Sequence, residues 1–404
     1  MKIKCILPLL LMLVLFGAAG CRDEPDEDPS TMSFSEIQDA ARNTTVRFYM
    51  WGGDLKINAW IDGFVTERVK EKYDIRLERV AMDAPVFVTR LLNEKLAGKT
   101  DGEMDLLWIN GENFKRAKEA GLLYGPIADK LPAFEYCPED EVDSDFGYPT
   151  QGYEAPYGKA QFVFEYDSAK VGNPPETPEE LLAWAENNPG MFTYPQPPDF
   201  TGSAFIRQLF YLLTGGYEQY MDGFNESLYE EKAPLLWEYL NRIKPFLWQE
   251  GRTYPREKSQ LDFLFERGEV LFNMSYHQAA ASGKILDGRY PETVRTSVFK
   301  NGSISNIHFT AVPFNSRNKT GAITVANFLL SPEAQYSKNL PENWGDFTVL
   351  SLEKLPEEFR EKFIHLDLGR ATLPISVLNK NSVPEIPIEY LEQLEKDWEI
   401  NVLH

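Results

Sequence analysis

Six side chains form a set that could grip a positive charge. Trp51, Tyr157 and Tyr276 offer aromatic faces, and Asp54, Glu112 and Asp199 offer carboxylates. A cation over a well-placed ring gains about 0.5–2 kcal/mol. A second set suits the opposite sign. Gly52-Gly53 and Thr201-Gly202-Ser203 stand where helices are expected to begin, and amides at a helix N-terminus hold anions. Asn110, Asn113, Gly158 and Ser275 sit in the same loops and add neutral donors and acceptors. Each residue also has a plainer use. The aromatic rings can serve as packing, Asp54 and Asp199 as helix caps, Glu112 as surface, and the glycines as turn geometry.

Other chemistry is missing from the sequence. The four histidines, at 277, 308, 365 and 404, have no metal-ligand spacing with one another. There is no H-E-x-x-H and no G-x-S-x-G. Gly98-Lys99-Thr100 hints at a phosphate loop, but Asn93 stands where its first glycine belongs, and the stretch follows a helical pattern. Carboxylates are plentiful enough to leave a glycosidase-type pair open. We assign no catalytic residue, no metal and no cofactor. A net charge of −21 argues against nucleic acid as a partner, because a phosphate backbone needs a basic face.

The elements that must position these loops are those of an α/β protein. Val46, Phe48 and Met50 alternate with Arg47 and Tyr49, which reads as a strand ending in the Trp51–Asp54 loop. Apolar residues at helical spacing follow over 57–69. Strands are expected at 75–82 and 104–109, with a helix at 84–96 between them. Strand–helix–strand–helix–strand with short connections implies a parallel sheet with right-handed crossovers, and ligands bind at the carboxyl ends of such strands. The stretch 160–166 (AQFVFEY) is apolar on both faces and could leave one sheet for another. Thr177-Pro178-Glu179-Glu180 opens a helix with a cap, a first-turn proline and a capping-box glutamate. Short strands are expected at 191–194, 271–276, 296–299 and 308–312, and helices at 319–330, 356–363 and 387–399.

The first residues read as an export signal. Lys2 and Lys4 precede the apolar run Ile6–Phe16, then Gly17-Ala18-Ala19-Gly20-Cys21. The run is too short for an ordinary membrane span. A cysteine after Ala-Ala-Gly resembles the bacterial lipobox, in which Cys21 would be lipidated and become the first mature residue. Loss of residues 1–20, with two lysines and no acids, takes the net charge from −21 to −23. Cys137 is then the one cysteine left for the mature fold, so no disulfide is expected. Residues 22–31 (RDEPDEDPST) are acidic and proline-bearing and read as a solvated tether.

These parts together resemble the solute-binding proteins of ABC importers. The resemblance rests on the lipobox, the crossing strand near 160, the late GEVLFNMSY stretch and NKTGAITVANFLLSPEAQ at 318–335. Met50-Trp51-Gly52-Gly53 with Ile57-Asn58, Asn110–Phe114 and Gly121–Pro126 are similar to the YnjB-like branch, with thiamine- and polyamine-binding proteins more distant. The resemblance covers residues 44–380. It implies a two-lobed type II periplasmic-binding (Venus-flytrap) fold with a hinge, and a small-molecule solute held between the lobes. The expected division is a signal peptide at 1–20, an anchored tether at 21–43, lobe one at 44–160 and 278–338, lobe two at 161–277, and a C-terminal helical segment at 339–404. The expected partners are ABC permease subunits with a cytoplasmic ATPase, and contact with the membrane is expected through the lipid alone. The protein is expected to be a monomer in the cell envelope, facing the periplasm or exterior. A cationic or heterocyclic solute, thiamine-like or polyamine-like, is favoured over a simple anion. An envelope hydrolase and a scaffold lipoprotein are the rival readings.

Overall fold

A computed structural model describes residues 28–404. The signal, Cys21 and most of the acidic tether lie outside the described residues. From Asp28 the chain is already packed. Pro29 is buried, Lys130 Nζ donates to Ser30 O at 2.8 Å, and Tyr124 Oη donates to Asp28. Helix Phe34–Ala40 opens with a full capping box, Ser33 to Glu36, and buries Ile37 and Ala41. Residues 28–43, expected as tether, are therefore part of the packed fold, because these apolar side chains have a core to enter.

The first lobe is a sheet between two helical layers. Thr45–Met50 pairs in parallel with Arg76–Ala81 and with Leu106–Trp108. Val46, Phe48 and Met50 point into a core shared with Trp60, Val65, Phe328 and Leu329. Tyr49 points to the other face, with Phe87, Leu91, Leu107 and Phe114. This two-sided burial is why the strand tolerates apolar residues at nearly every position. The long strand Ser303–Pro313 runs antiparallel to Leu106–Trp108 and to Ala155–Gln161, and joins Ser382–Val383 at its start.

The second lobe holds an antiparallel sheet in the order Val294–Ser297, Val163–Asp167, Phe272–Ser275. Helices Pro178–Asn187, Phe200–Thr214, Glu226–Ile243 and Ile388–Trp398 pack around it in one aromatic-rich core. The expected strand at 191–194 is extended chain without ladder pairing; Leu271 N donates to Met191 O at 2.8 Å instead.

The crossing strand does change sheets. Ala155–Gln161 belongs to the first, Val163–Asp167 to the second, and Phe162 N donates to Ile304 O at the junction. The return to the first lobe comes later than residue 278. Ala281, Tyr290, Val294, Phe299 and Ile304 are all in the second core, and the chain re-enters the first along 305–313. The tail divides. Trp344, Val349, Leu350 and Phe363 fill the first core, whereas Ala371, Tyr390, Leu394 and Trp398 fill the second. No helix among the described residues is long and apolar enough to cross a membrane.

Candidate functional site

The Trp51–Asp54 loop leaves the carboxyl end of its strand, beside the parallel neighbour Leu106–Trp108, after which Asn110–Asn113, expected as a loop, is instead the N-cap and first turn of helix Gly111–Glu119. Trp51 is 44% exposed. Its ring folds over Gly53 so closely that a Cβ there would lie 2.2 Å from the indole, so this glycine is required by the tryptophan. Gly52 O accepts from Asn58 Nδ2 at 2.9 Å. Asp54 caps helix Leu55–Trp60, accepting from the amides of Lys56 and Ile57 at 2.8 and 3.1 Å. From that helix Lys56 Nζ reaches Asp287 of the second lobe at 3.1 Å and Pro341 O at 3.1 Å. The loop thus lies at a point where the lobes touch.

Asn110 is a brace. Its Nδ2 donates to Ile307 O at 2.7 Å and its Oδ1 accepts from Trp108 Nε1 at 3.1 Å. Asn113 Oδ1 is buried and has no hydrogen-bond partner. Asp199 caps helix Phe200–Thr214, accepting from Thr201 and Gly202 amides at 3.0 Å each, and its other oxygen accepts from Lys258 N at 2.9 Å. Thr201 is buried in that first turn, and Gly202 packs on the carbonyl of Pro195, where a Cβ would come within 1.8 Å. Ser275 Oγ accepts from His277 N at 3.1 Å and shapes a turn.

Tyr157 and Gly158 lie in a buried hub at the crossing strands. Tyr157 packs against Trp108, His308 and Trp344, with ring centroids 5.6–6.1 Å away. Gly158 leaves room for the buried ion pair of Lys338 and Asp346, 2.7 Å apart. The sequence-distant His277 and His308 meet here as well, with His308 Nε2 3.1 Å from Asp346 Oδ1. Burial lowers the His308 pKa despite that carboxylate; Asp346 itself, though burial opposes its charge, is held well below the usual carboxylate range by Lys338 and His308. The two histidines and Asp346 have the donor set of a metal centre. Here, however, Trp344 Nε1 already donates to His277 Nδ1 at 3.1 Å and Lys338 already neutralises Asp346. The geometry is that of a satisfied hinge network, so we assign no metal to it.

Two of the expected residues, Ser203 and Tyr276, come together around one the sequence reading missed, Arg207. Its guanidinium is fully buried and paired in bidentate fashion with Glu385, both N···O distances being 2.9 Å. Ser203 Oγ accepts from Arg207 Nη1 at 2.7 Å and donates to Glu395 at 2.6 Å, and Tyr276 Oη donates to Glu385 at 2.8 Å. Burial works against the Arg207 charge, but Glu385 holds its pKa above the ordinary value. Phe200 packs on Tyr276 with centroids 4.8 Å apart.

The first lobe closes onto this network. Phe146 lies 6.4 Å from Phe200, and Arg207 Cζ is 5.8 Å from the centre of each ring. Phe146 is set by its neighbour Asp145, which accepts from Gly111 N and from Asn110 Nδ2. Burial pushes the Asp145 carboxyl up to about 7. Glu112 is raised by burial and then by Glu392 and Glu395 of the second lobe, and Lys115 on the same helix pairs with Glu389. Behind them Glu154 is wholly buried with neither carboxylate oxygen hydrogen-bonded, and burial holds it protonated far above its ordinary range. Arg207 had one visible signal, a lone charge in the apolar helical stretch FTGSAFIRQLFYLLT. Glu385, Asp145 and Phe146 had none, since their partners are far away in sequence.

Two α/β lobes joined by crossing strands bring side chains from both onto one surface. The comparisons identify the class. The model of the bacterial extracellular solute-binding protein family matches residues 65–339, and the chain belongs to that family. Protein YnjB of Escherichia coli (strain K12) is 41% identical over 331 residues, 81% of this chain and 85% of that protein. Among solved structures, a putative spermidine/putrescine ABC transporter protein from Listeria monocytogenes superposes with a TM-score of 0.61 at 17% identity, covering 88% of this chain and 99% of the other. A periplasmic thiamin binding protein gives 0.58 at 17% identity, with coverages of 89% and 96%. AfuA of Actinobacillus pleuropneumoniae, with fructose-6-phosphate bound, gives 0.62 at 13% identity, with coverages of 89% and 98%. The type II periplasmic-binding fold is thereby shown. Family members are substrate-binding transport proteins that act outside the cytoplasm with a permease and an ATPase, and they are not enzymes.

Proposed function

We propose that the chain is lipid-anchored through Cys21, acts as a monomer, and captures a cationic or heterocyclic small molecule between its lobes for delivery to an ABC permease. The observation that carries the ligand class is the surface made jointly by the lobes. Glu112 and Phe146 come from one side, and Phe200, Tyr276, Glu392 and Glu395 from the other. Its acids outnumber its cations, because Arg207 is committed to Glu385 and Lys115 to Glu389. A ligand bound there contacts both lobes and so favours the closed state, as a hinged capture device requires. The Trp51–Asp54 loop, Asn110, Asn113, Tyr157, Gly158, Asp199, Thr201, Gly202, Ser203 and Ser275 stay in the proposal as the frame of this surface. Trp51 has an exposed ring to offer, and Asn113 Oδ1 and the Tyr157 hydroxyl are buried polar atoms without a partner.

Native mass spectrometry of the protein purified gently from its own envelope tests the reading, followed by a thermal-shift panel of thiamine esters, polyamines and oxyanions. A bound organic cation, or a selective shift by one, is the expected result. A flat response across the panel with no bound mass overturns the ligand class. Intact-mass analysis separately tests the anchor, since a lipidated Cys21 fixes both the first mature residue and the added mass.

A further inference from the structure

Glu385 comes from a short, stiff stretch of the tail. It stands between Pro384 and Pro387, whose rings fix the backbone φ. Its neighbours Val383 and Ile386 are buried in the second core, so the stretch is pinned on both sides. Glu385 itself lies in neither helix nor strand. What receives its carboxylate is a set of donors from elsewhere in the chain. Arg207 Nε and Nη2 donate to its two oxygens at 2.9 Å each, and Tyr276 Oη donates to Oε1 at 2.8 Å. Ser203 Oγ accepts from Arg207 Nη1 at 2.7 Å and so fixes the plane of the guanidinium. A planar fork with a third donor beside it is the geometry that recognises a carboxylate.

This set of donors borders the joint between the lobes. The rings of Phe146 from the first lobe and Phe200 from the second are each centred 5.8 Å from Arg207 Cζ. Each lobe thus supplies half of the cover over the guanidinium. Stability alone is a weak reason for such a pair, because apolar residues of similar volume often serve a core as well.

We propose that Ser203, Arg207 and Tyr276 form a carboxylate pocket in the cleft wall, filled by the chain's own Glu385, which thereby excludes carboxylate solutes and leaves the cleft to cations. This deepens the reading above at one residue and rests on that reading of the cleft. Exclusion follows from tethering. A side chain held beside its partners competes at an effective concentration on the order of millimolar or more, so a dilute carboxylate does not displace it. Without Glu385 the guanidinium loses its bidentate partner and favours anions over cations. Glu395, which accepts from Ser203 Oγ at 2.6 Å, is the rival carboxylate within the same network.

Glu385→Ala removes one methylene and the carboxylate, a gap the size of acetate. Isothermal calorimetry of the full chain with acetate reads the pocket. The wild type should give no binding heat. The variant should bind acetate saturably, at least about tenfold tighter than acetamide, which has the same shape without the charge. Glu385→Gln, whose amide fills the gap, should bind none. Adding Glu395→Gln to Glu385→Ala removes the rival and should tighten acetate further. If Glu385→Ala does not hold its fold, refolding yield in acetate against chloride at equal ionic strength is the readout, and acetate should raise it. Phe146→Ala in the Glu385→Ala background should speed acetate entry several-fold in stopped-flow fluorescence, since it removes the first lobe's half of the cover. The proposal is overturned if neither Glu385→Ala nor the double variant responds to acetate, or if the wild type binds acetate as tightly. An entry rate indifferent to Phe146 overturns the placement in the cleft wall. Acetate probes the pocket without the native solute, so failure of the proposed ligand class leaves these outcomes readable.

Discussion

Arg207 and Trp51 mark two ways a residue can matter to this cleft. Arg207 is buried and its charge is answered by one partner, Glu385. Removing one member of such a pair leaves the other charge stranded, which costs about 3–5 kcal/mol. Arg207→Met should therefore lower the unfolding free energy by that amount in urea titration. Arg207→Met with Glu385→Gln should recover much of it, because no naked charge remains. Trp51 is the contrary case. Its ring is partly exposed and leans on Gly53, so Trp51→Ala should change stability by no more than about 0.5 kcal/mol. If the ring faces a cationic solute, the same variant should lose about 2- to 30-fold in affinity by titration calorimetry. Unchanged affinity would remove Trp51 from the site. Sequence alone could not rank these two. Trp51 announces itself by standing next to glycines, while Arg207 depends on a glutamate that lies 178 residues away.

Among the elements, those with local signals were legible and those made by distant pairing were not. The capping residue Thr177 opens its helix where expected, because a hydroxyl and an amide three residues on suffice. The strand of 45–50 and its parallel neighbours follow from alternation and short crossovers. The strand expected at 308–312 is instead eleven residues long, Ser303–Pro313. Its extra length comes from pairing with 155–161 and 382–383, which no local pattern encodes. Nor could spacing show that His277, His308 and Asp346 meet, since three separate segments carry them into the hinge. Asp199 was legible in two ways, as ligand and as cap, and the helix decides between them with testable consequences. It accepts from three backbone amides. Asp199→Ala should cost about 0.5–2 kcal/mol, seen as a lower urea midpoint. Asp199→Asn, which also caps, should restore most of that stability. A loss of affinity in the Asn variant at full stability would instead show that the negative charge reaches the solute.

At the scale of the whole molecule, closure is a balance of contacts made by both lobes at once. Lys56 with Asp287 and Lys115 with Glu389 pull the lobes together, Phe146 covers Arg207 and Phe200, and Glu112 with Glu392 pushes back. Exposed ion pairs are individually weak, about 0–1 kcal/mol, so no one of them holds the molecule shut. That weakness suits a capture device, because a gap of a few kcal/mol is small enough for a ligand to overcome. Reversing one contact should then shift the balance without harming either core. Lys115→Glu converts the attractive pair into a second repulsive one beside Glu112. Its lobes should stay folded, with an unchanged urea midpoint, while the open population grows at neutral pH, read by fluorescence energy transfer between dyes at the exposed positions Leu96 and Phe263. A ligand that binds the closed form has to supply the difference, so its apparent affinity should fall several-fold, in proportion to the closed fraction lost. Joining Lys115→Glu to Glu389→Lys restores an attractive pair in the reversed sense and should return both the closed fraction and the affinity. If Lys115→Glu leaves the interlobe distance where it was, the Lys115–Glu389 pair does not set the closure balance, and the burden passes to Phe146 and the hinge.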